Sequence, residues 1–148
     1  MKKRIFLALT LALFSTLAFS QEEWGDVQKN KVTMKELPPI WPGCEDKNGD
    51  PAAMNKCFTT QLAQHISKNF KYPAEAYNAN DEGRVVVDFK INTEGKVEII
   101  STSGGSEVLQ AEAKRNILQI PQMKPGMLAG KPKEITYKVP FTFKTGKN

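Results

Sequence analysis

The sequence has one histidine, His65, and two cysteines among 148 residues. So few cysteines exclude a disulfide-dense scaffold, and ten glycines fall far short of the one in three of a collagen-like chain. Cys44 and Cys57 lack C-x-x-C spacing, and the one histidine lies eight residues beyond Cys57, so the pattern of a redox or zinc centre is missing. No pair of carboxylates falls in a recognisable acid–base motif, and no nucleophile has a histidine partner nearby in sequence. An enzyme is therefore not expected, and neither is a cofactor or a metal. Long apolar runs are scarce: there is one, at the N-terminus, which excludes a multi-pass membrane protein. Blocks of five or more Lys or Arg are absent. What is present is 40% hydrophobic residues, enough for one folded domain with a tail.

Residues 1–20 have the pattern of a secretory leader. Lys2, Lys3 and Arg4 precede the apolar stretch Ile5–Phe19, and Ala18 and Ser20 supply small residues before Gln21. A spanning helix needs about 20 apolar residues, more than this stretch supplies. Cleavage after Ser20 is the expectation; a retained leader would be an inner-membrane anchor. The net charge of +5 contains three leader charges, and without them 18 basic residues face 16 acidic ones, or +2. The basic character is largely a targeting signal, and a nucleic-acid partner is not expected.

After the leader, residues 21–39 are polar, without a period, and end in Pro38-Pro39, which reads as a flexible lead-in. Residues 40–57 read as a turn-rich loop bounded by Cys44 and Cys57. In an exported chain these two suggest a disulfide closing a 14-residue loop. A domain is expected over 58–148. Phe58, Leu62, Ile66 and Phe70 form a helical stripe, with Asp50-Pro51 able to cap an earlier start. His65, beside that stripe, reads as a polar surface residue. Tyr72-Pro73 breaks the helix and allows a short restart with Pro73 in first position.

Val85, Val87, Phe89 and Ile91 alternate with less apolar residues as a strand. Asn92-Thr93-Glu94-Gly95 turns it into a second strand from Lys96 to Thr102. Ser103-Gly104-Gly105 resembles a phosphate loop only superficially, because the Lys-Ser/Thr that should follow is absent; it reads as a helix entry, with Ser106 as cap. Leu109, Ala113, Ile117 and Ile120 stripe a second helix that Pro121 stops, and residues 123–132 read as a loop. Ile135, Tyr137, Val139, Phe141 and Phe143 alternate along a last strand, in which Pro140 argues for an edge position. The fold class is thus α+β: two helices on one face of a three-stranded antiparallel sheet.

The residues from Phe70 to Phe143 resemble the C-terminal domain of TonB, the energy transducer of Gram-negative envelopes. The resemblance is carried by Tyr72-Pro73 with Ala76, by Glu82-Gly83-Arg84-Val85-Val86-Val87-Asp88-Phe89 and by Ile91 through Gly95-Lys96-Val97. Ser103-Gly104, Ala113, Lys124-Pro125-Gly126, Gly130-Lys131-Pro132 and Val139-Pro140-Phe141-Thr142-Phe143 complete it. Pro42-Gly43-Cys44 and Cys57-Phe58 resemble a Bacteroidetes-type variant of the family.

The resemblance implies a periplasmic module that captures an extended peptide of an outer-membrane transporter, or of another envelope protein, by β-augmentation in support of energy-dependent transport. The peptide would add to Ile135, Thr136, Tyr137, Lys138, Val139, Phe141, Thr142 and Phe143, with Asn69, Lys71 and Tyr72 near it. Ladder donors at Tyr137 and Val139 are read as available to it. The chain departs from the family pattern in its cleavable leader and in the 23 residues from Gln21 to Gly43, which reach at most about 75 Å. The alternative is a secreted structural, inhibitory or self-associating domain, including an edge-to-edge homodimer, that reuses the fold without energy transduction.

Overall fold

The structure, a computed structural model, describes residues 35–147. The leader, the first fourteen residues after it, and Asn148 lie outside the described residues. Among the described residues no helix is long and apolar enough to cross a membrane. The elements are β1 (Glu36–Leu37), a 3-10 turn (Glu45–Lys47), α1 (Pro51–Asn69), α2 (Ala74–Asn78), β2 (Gly83–Ile91) and β3 (Val97–Ser103). They continue with α3 (Glu107–Leu118), β4 (Gly126–Leu128), β5 (Lys131–Lys133) and β6 (Ile135–Phe143).

The main sheet has the order β3-β2-β6, antiparallel throughout, with β2 in the centre. Strand alternation turns Val85, Val87, Phe89 and Ile91 to one face, where all four are fully buried. Phe141 and Phe143 of β6 join them. Both long helices cover this face: α1 contributes Met54, Phe58 and Leu62, and α3 contributes Leu109, Ala113 and Ile117. The two-helix, three-stranded α+β arrangement expected from the periodicities is therefore present.

Helix α1 begins seven residues before Phe58. Asp50 caps it, its carboxylate accepting from the N–H groups of Ala52 (3.0 Å) and Ala53 (3.2 Å), with Pro51 in first position. The apolar stripe accordingly extends back to Met54. Cys57 lies in the second turn of this helix rather than in a loop, and its disulfide to Cys44 ties the preceding turn to α1. At the short restart, Pro73 is the cap of α2 rather than its first residue. Ser106 caps α3 through the Leu109 N–H (3.3 Å).

Two stretches read as unstructured carry a second sheet. The lead-in was expected to be flexible to Pro39, yet its last residues form β1, and Pro38 and Pro39 are buried. The expected loop at 123–132 contains β4 and most of β5, and the small sheet has the order β1-β4-β5. Ile40 extends the pairing by exchanging hydrogen bonds with Lys124 (3.0 and 3.2 Å). Strands of two and three residues are too short to show a period, which is why the sequence does not display them.

The hairpin between β2 and β3 is pinned at Gly95. Its φ is +78°, and a Cβ there would lie 1.6 Å from the Met123 carbonyl oxygen, so only glycine lets the Met123 N–H reach the Gly95 carbonyl at 3.0 Å. The disulfide is the other staple. Replacing both Cys44 and Cys57 by Ala is expected to cost about 3 kcal/mol for a loop of this length. A denaturation midpoint unchanged by the double substitution would show that Trp41 and Pro39 hold the loop by packing alone.

Candidate functional site

The candidate site is the outer edge of β6 and the groove beside it. Pairing between β2 and β6 runs in unbroken register from Gly83↔Phe143 to Ile91↔Ile135, and it passes through Val86↔Pro140. Proline has no N–H to give, so an unbroken ladder requires its nitrogen to face away from β2. Alternation then puts the N–H and C=O of Thr136, Lys138 and Thr142 on the same open side, with the carbonyl of Pro140. Tyr137, Val139 and Phe141 turn theirs toward β2. The expected edge residues thus divide into two sets. Thr136, Lys138 and Thr142 offer backbone groups to a partner. Ile135, Tyr137, Val139, Phe141 and Phe143 pair with β2 and turn their side chains inward. The reading that Tyr137 and Val139 have ladder donors to offer is corrected: those donors face β2.

Along this edge α1 forms a wall. Phe58 stacks on Tyr137 (ring centroids 4.6 Å apart), and Phe70 meets Phe143 (5.1 Å), so α1 and β6 run alongside each other in the same direction. Between those contacts lies a groove of about 440 Å³ lined by Ala63, Ile66, Ser67, Phe70, Pro140, Phe141 and Thr142. Ala63 and Ser67 are small residues one helical turn apart, which leaves room beside the strand. Burial pushes the Tyr137 phenol well above its ordinary range, with Glu36 adding to the effect, so the ring is a neutral part of the wall.

Asn69, Lys71 and Tyr72 are chain neighbours of the groove residue Phe70 but do not line the groove; Asn69 lies with Gln61, Gln64 and Lys68 on the other side of α1, and each of the three has an internal partner. The Asn69 amide donates to the His65 carbonyl (2.9 Å), the Lys71 N–H donates to Glu112 (2.9 Å), and the Tyr72 hydroxyl donates to the Asp81 carbonyl (2.5 Å). Phe70, between them, supplies the groove lining.

The end of α1 is held by α3. A helix leaves its last carbonyls unpaired, and in α1 the carbonyl of Ile66 accepts from Asn116 Nδ2 (3.0 Å) and that of Asn69 from Arg115 Nη2 (2.6 Å). Arg115 in turn makes two short contacts to Glu112 (2.6 and 2.7 Å), whose side chain is 8% exposed. Glu112 holds the Arg115 guanidinium above its ordinary range. His65, read from the sequence as a surface residue, belongs to this junction: its Nε2 lies 3.0 Å from the Asn116 carbonyl, and its ring lies beside Trp41 (5.8 Å).

Beyond Phe143 the chain is clamped to the turn before β2. Thr145 donates its N–H to Glu82 (2.5 Å), and its hydroxyl lies 2.6 Å from both Glu82 and Asn80. Lys147 reaches the Tyr77 carbonyl (2.7 Å) across that ring. The bonds from Thr145 hold the Glu82 carboxyl below its ordinary value of 4.5.

Of the groove-lining residues, Ile66 and Phe70 are legible as helical stripe and Pro140 as an edge marker, whereas Ala63 and Ser67 carry no signal in the sequence pattern. No group of three or more His, Cys, Asp or Glu suited to a metal is found among the described residues.

The model of the Gram-negative bacterial TonB protein C-terminal family matches residues 68–145, more than half of the chain, and the chain belongs to that family. The family consists of interaction modules of the cell envelope. Among solved structures, the chain is similar to an NMR structure of the Helicobacter pylori TonB C-terminal domain. The TM-score is 0.47 at 21% identity, over 72% of this chain and 94% of that one. A shorter form of the same domain gives 0.43 at 23% identity, over 62% and 97%. No curated protein matches the chain.

Two tests follow from this geometry. Arg115→Met leaves Glu112 buried without its cation, and a loss of about 2–3 kcal/mol is expected in chemical denaturation. A loss below about 0.5 kcal/mol would mean that the pair behaves as a surface ion pair. For Glu82, a lowered pKa means the ionised form stabilises the fold. Its contribution is complete above the ordinary 4.5 and disappears as pH falls through the lowered value. The stability gap between the native chain and Glu82→Gln should be constant above about pH 5.5 and close in acid; a gap that widens in acid would contradict the clamp.

Proposed function

We propose that this chain is a periplasmic module that captures an extended peptide of an outer-membrane transporter, or of another envelope protein, by strand addition to β6, in support of energy-dependent transport. The observation that carries this reading is the open side of β6. A nine-residue strand, paired with β2 over its whole length, has no second neighbour among the described residues. Unpaired ladder groups on such an edge are an invitation to a partner strand. Backbone hydrogen bonds would provide sequence-tolerant affinity, and the groove between α1 and Pro140 would take one side chain of the added strand. Asn69, Lys71 and Tyr72 would serve the site by fixing Phe70 at the groove's end. Export by the leader would deliver the module to the periplasm, and a retained leader would tether it to the inner membrane. The same open edge also supports the alternative of a self-associating domain, in which β6 of a second copy is the added strand.

A proline scan separates the two sides of β6. Thr142→Pro and Thr136→Pro remove donors from the open side only, so both variants should fold and lose peptide capture by at least about tenfold. Val139→Pro removes a donor facing β2 and should destabilise the sheet by about 3 kcal/mol or more. Unchanged capture by a folded Thr142→Pro, Thr136→Pro double variant would overturn strand addition at this edge. Light scattering over a concentration series distinguishes a homodimer, which would double in mass without any peptide.

A further inference from the structure

We propose that the outer face of α3, with the groove between α3 and α2, is a second docking site. Its occupant is an amphipathic helix of a partner protein, with an apolar stripe flanked by Lys or Arg. The β6 edge plays no part in it. Helix α3 carries two apolar stripes, and the fold uses one. Leu109, Ala113 and Ile117 turn into the core. Val108, Ala111, Arg115 and Leu118 lie on another side, at i, i+3, i+7 and i+10, the spacing by which one helix presents itself to another. Leu118 is 57% exposed, the most exposed large hydrophobic side chain among the described residues. Ala111 is exposed too, and Val108 is half-buried. From Val108 to Leu118 the helix rises about 15 Å, close to three turns.

Beside this stripe the chain leaves room. Between α2 and α3 lies a groove of about 450 Å³ whose apolar floor is Pro73, Val108 and Ala111. The charged groups of its lining are Glu75, Glu107, Glu112 and Arg115, three carboxylates and one cation. Arg115 is committed to Glu112 (2.6 and 2.7 Å), which also accepts from the Lys71 N–H. Glu75 and Glu107, both exposed, have no other cation in the lining to face them. Lys71 and Lys114, the nearest lysines in sequence, do not line the groove. Each of the two free carboxylates stands in the first turn of its helix, where the dipole favours it. That accounts for a carboxylate at each position, but not for the two meeting beside one apolar groove. A helix with Lys or Arg beside its apolar stripe matches both features, and an acidic one is repelled. A second copy docked here about a two-fold axis would oppose like carboxylates, so the face is not self-complementary.

The test uses the full chain and three synthetic helical peptides of about four turns. All share one Leu stripe, and the positions flanking it are Lys, Gln or Glu. The chain is net positive, +5 with the leader and +2 (18 basic against 16 acidic) without it. Its overall field therefore opposes a basic peptide, and a preference for one reports the groove. Fluorescence anisotropy should rank the peptides Lys, Gln, Glu. The outer two should differ by about tenfold at ~20 mM salt, shrinking to about twofold at ~0.5 M. Glu75→Gln with Glu107→Gln, two exposed changes, should abolish the ranking, and Glu75→Lys with Glu107→Lys should reverse it. Leu118→Ser should weaken all three by about fivefold or more. Binding of none of the three, equal affinities, a ranking unchanged in both charge variants, or no effect of Leu118→Ser would each overturn the proposal and leave strand capture at β6 standing. Binding that is lost instead in Thr142→Pro would place the peptides on β6 and overturn it as well.

Discussion

Everything in this fold depends on β2 having a neighbour on each side and a roof over one face. Its four inward side chains are fully buried, and both long helices, β3 and β6 are positioned against them. A three-stranded sheet built on one central strand necessarily has two outer strands. The burial that stabilises the domain therefore also creates two rows of unpaired backbone groups. The functional question is how the chain treats each of them.

The two edges are treated differently. On β3 the register shifts between Asp88 and Phe89, where Ile100 is an extra residue opposite a continuous β2. A bulge of this kind twists an edge and spoils it as a template. Helix α3 also packs closely against β3. On β6 the register is unbroken over nine residues, and the only modification is Pro140, which deletes a single donor near the middle of the open side. One deleted donor discourages a long, flat, self-complementary pairing while leaving Thr136 and Lys138 on one side of the gap and Thr142 on the other. A partner strand can still engage both parts, and the groove opens beside the gap, where an added strand is least constrained by the ladder.

The main sheet was legible because its strands are long enough to show period two: Val85, Val87, Phe89 and Ile91 on β2, and Tyr137 to Phe143 on β6. The helical stripe from Phe58 to Phe70 was legible for the same reason. Its first turns were not, because Met54 is the only buried residue in them and Asp50 signals a start without fixing it. The second sheet escaped because β1, β4 and β5 are too short for a period, and Pro38-Pro39 suggests a linker when both residues are in fact buried. Pro140 correctly marked β6 as an edge strand. Which residues face outward was not legible, because that parity follows from register against β2, a long-range fact. The roles of His65, Arg115 and Glu112 at the end of α1 were hidden for the same reason: their partners are about 40 to 50 residues away.

The rigid parts of the site are local and the adaptable part is its edge. Arg115, Asn116 and Glu112 fix the last turn of α1, and the bonds from Thr145 to Glu82 fix the chain leaving β6, so the groove's far end is set before any partner arrives. Pre-organisation of this kind lowers the ordering cost of binding, because the docking surface has little freedom left to lose. The open backbone groups need no particular side chain in the partner, only an extended one. In the proposed capture, selectivity would then come from what flanks the ladder, namely the groove that the small residues Ala63 and Ser67 shape. In strand addition as proposed, affinity is spread over several backbone contacts along the edge rather than concentrated in one side chain.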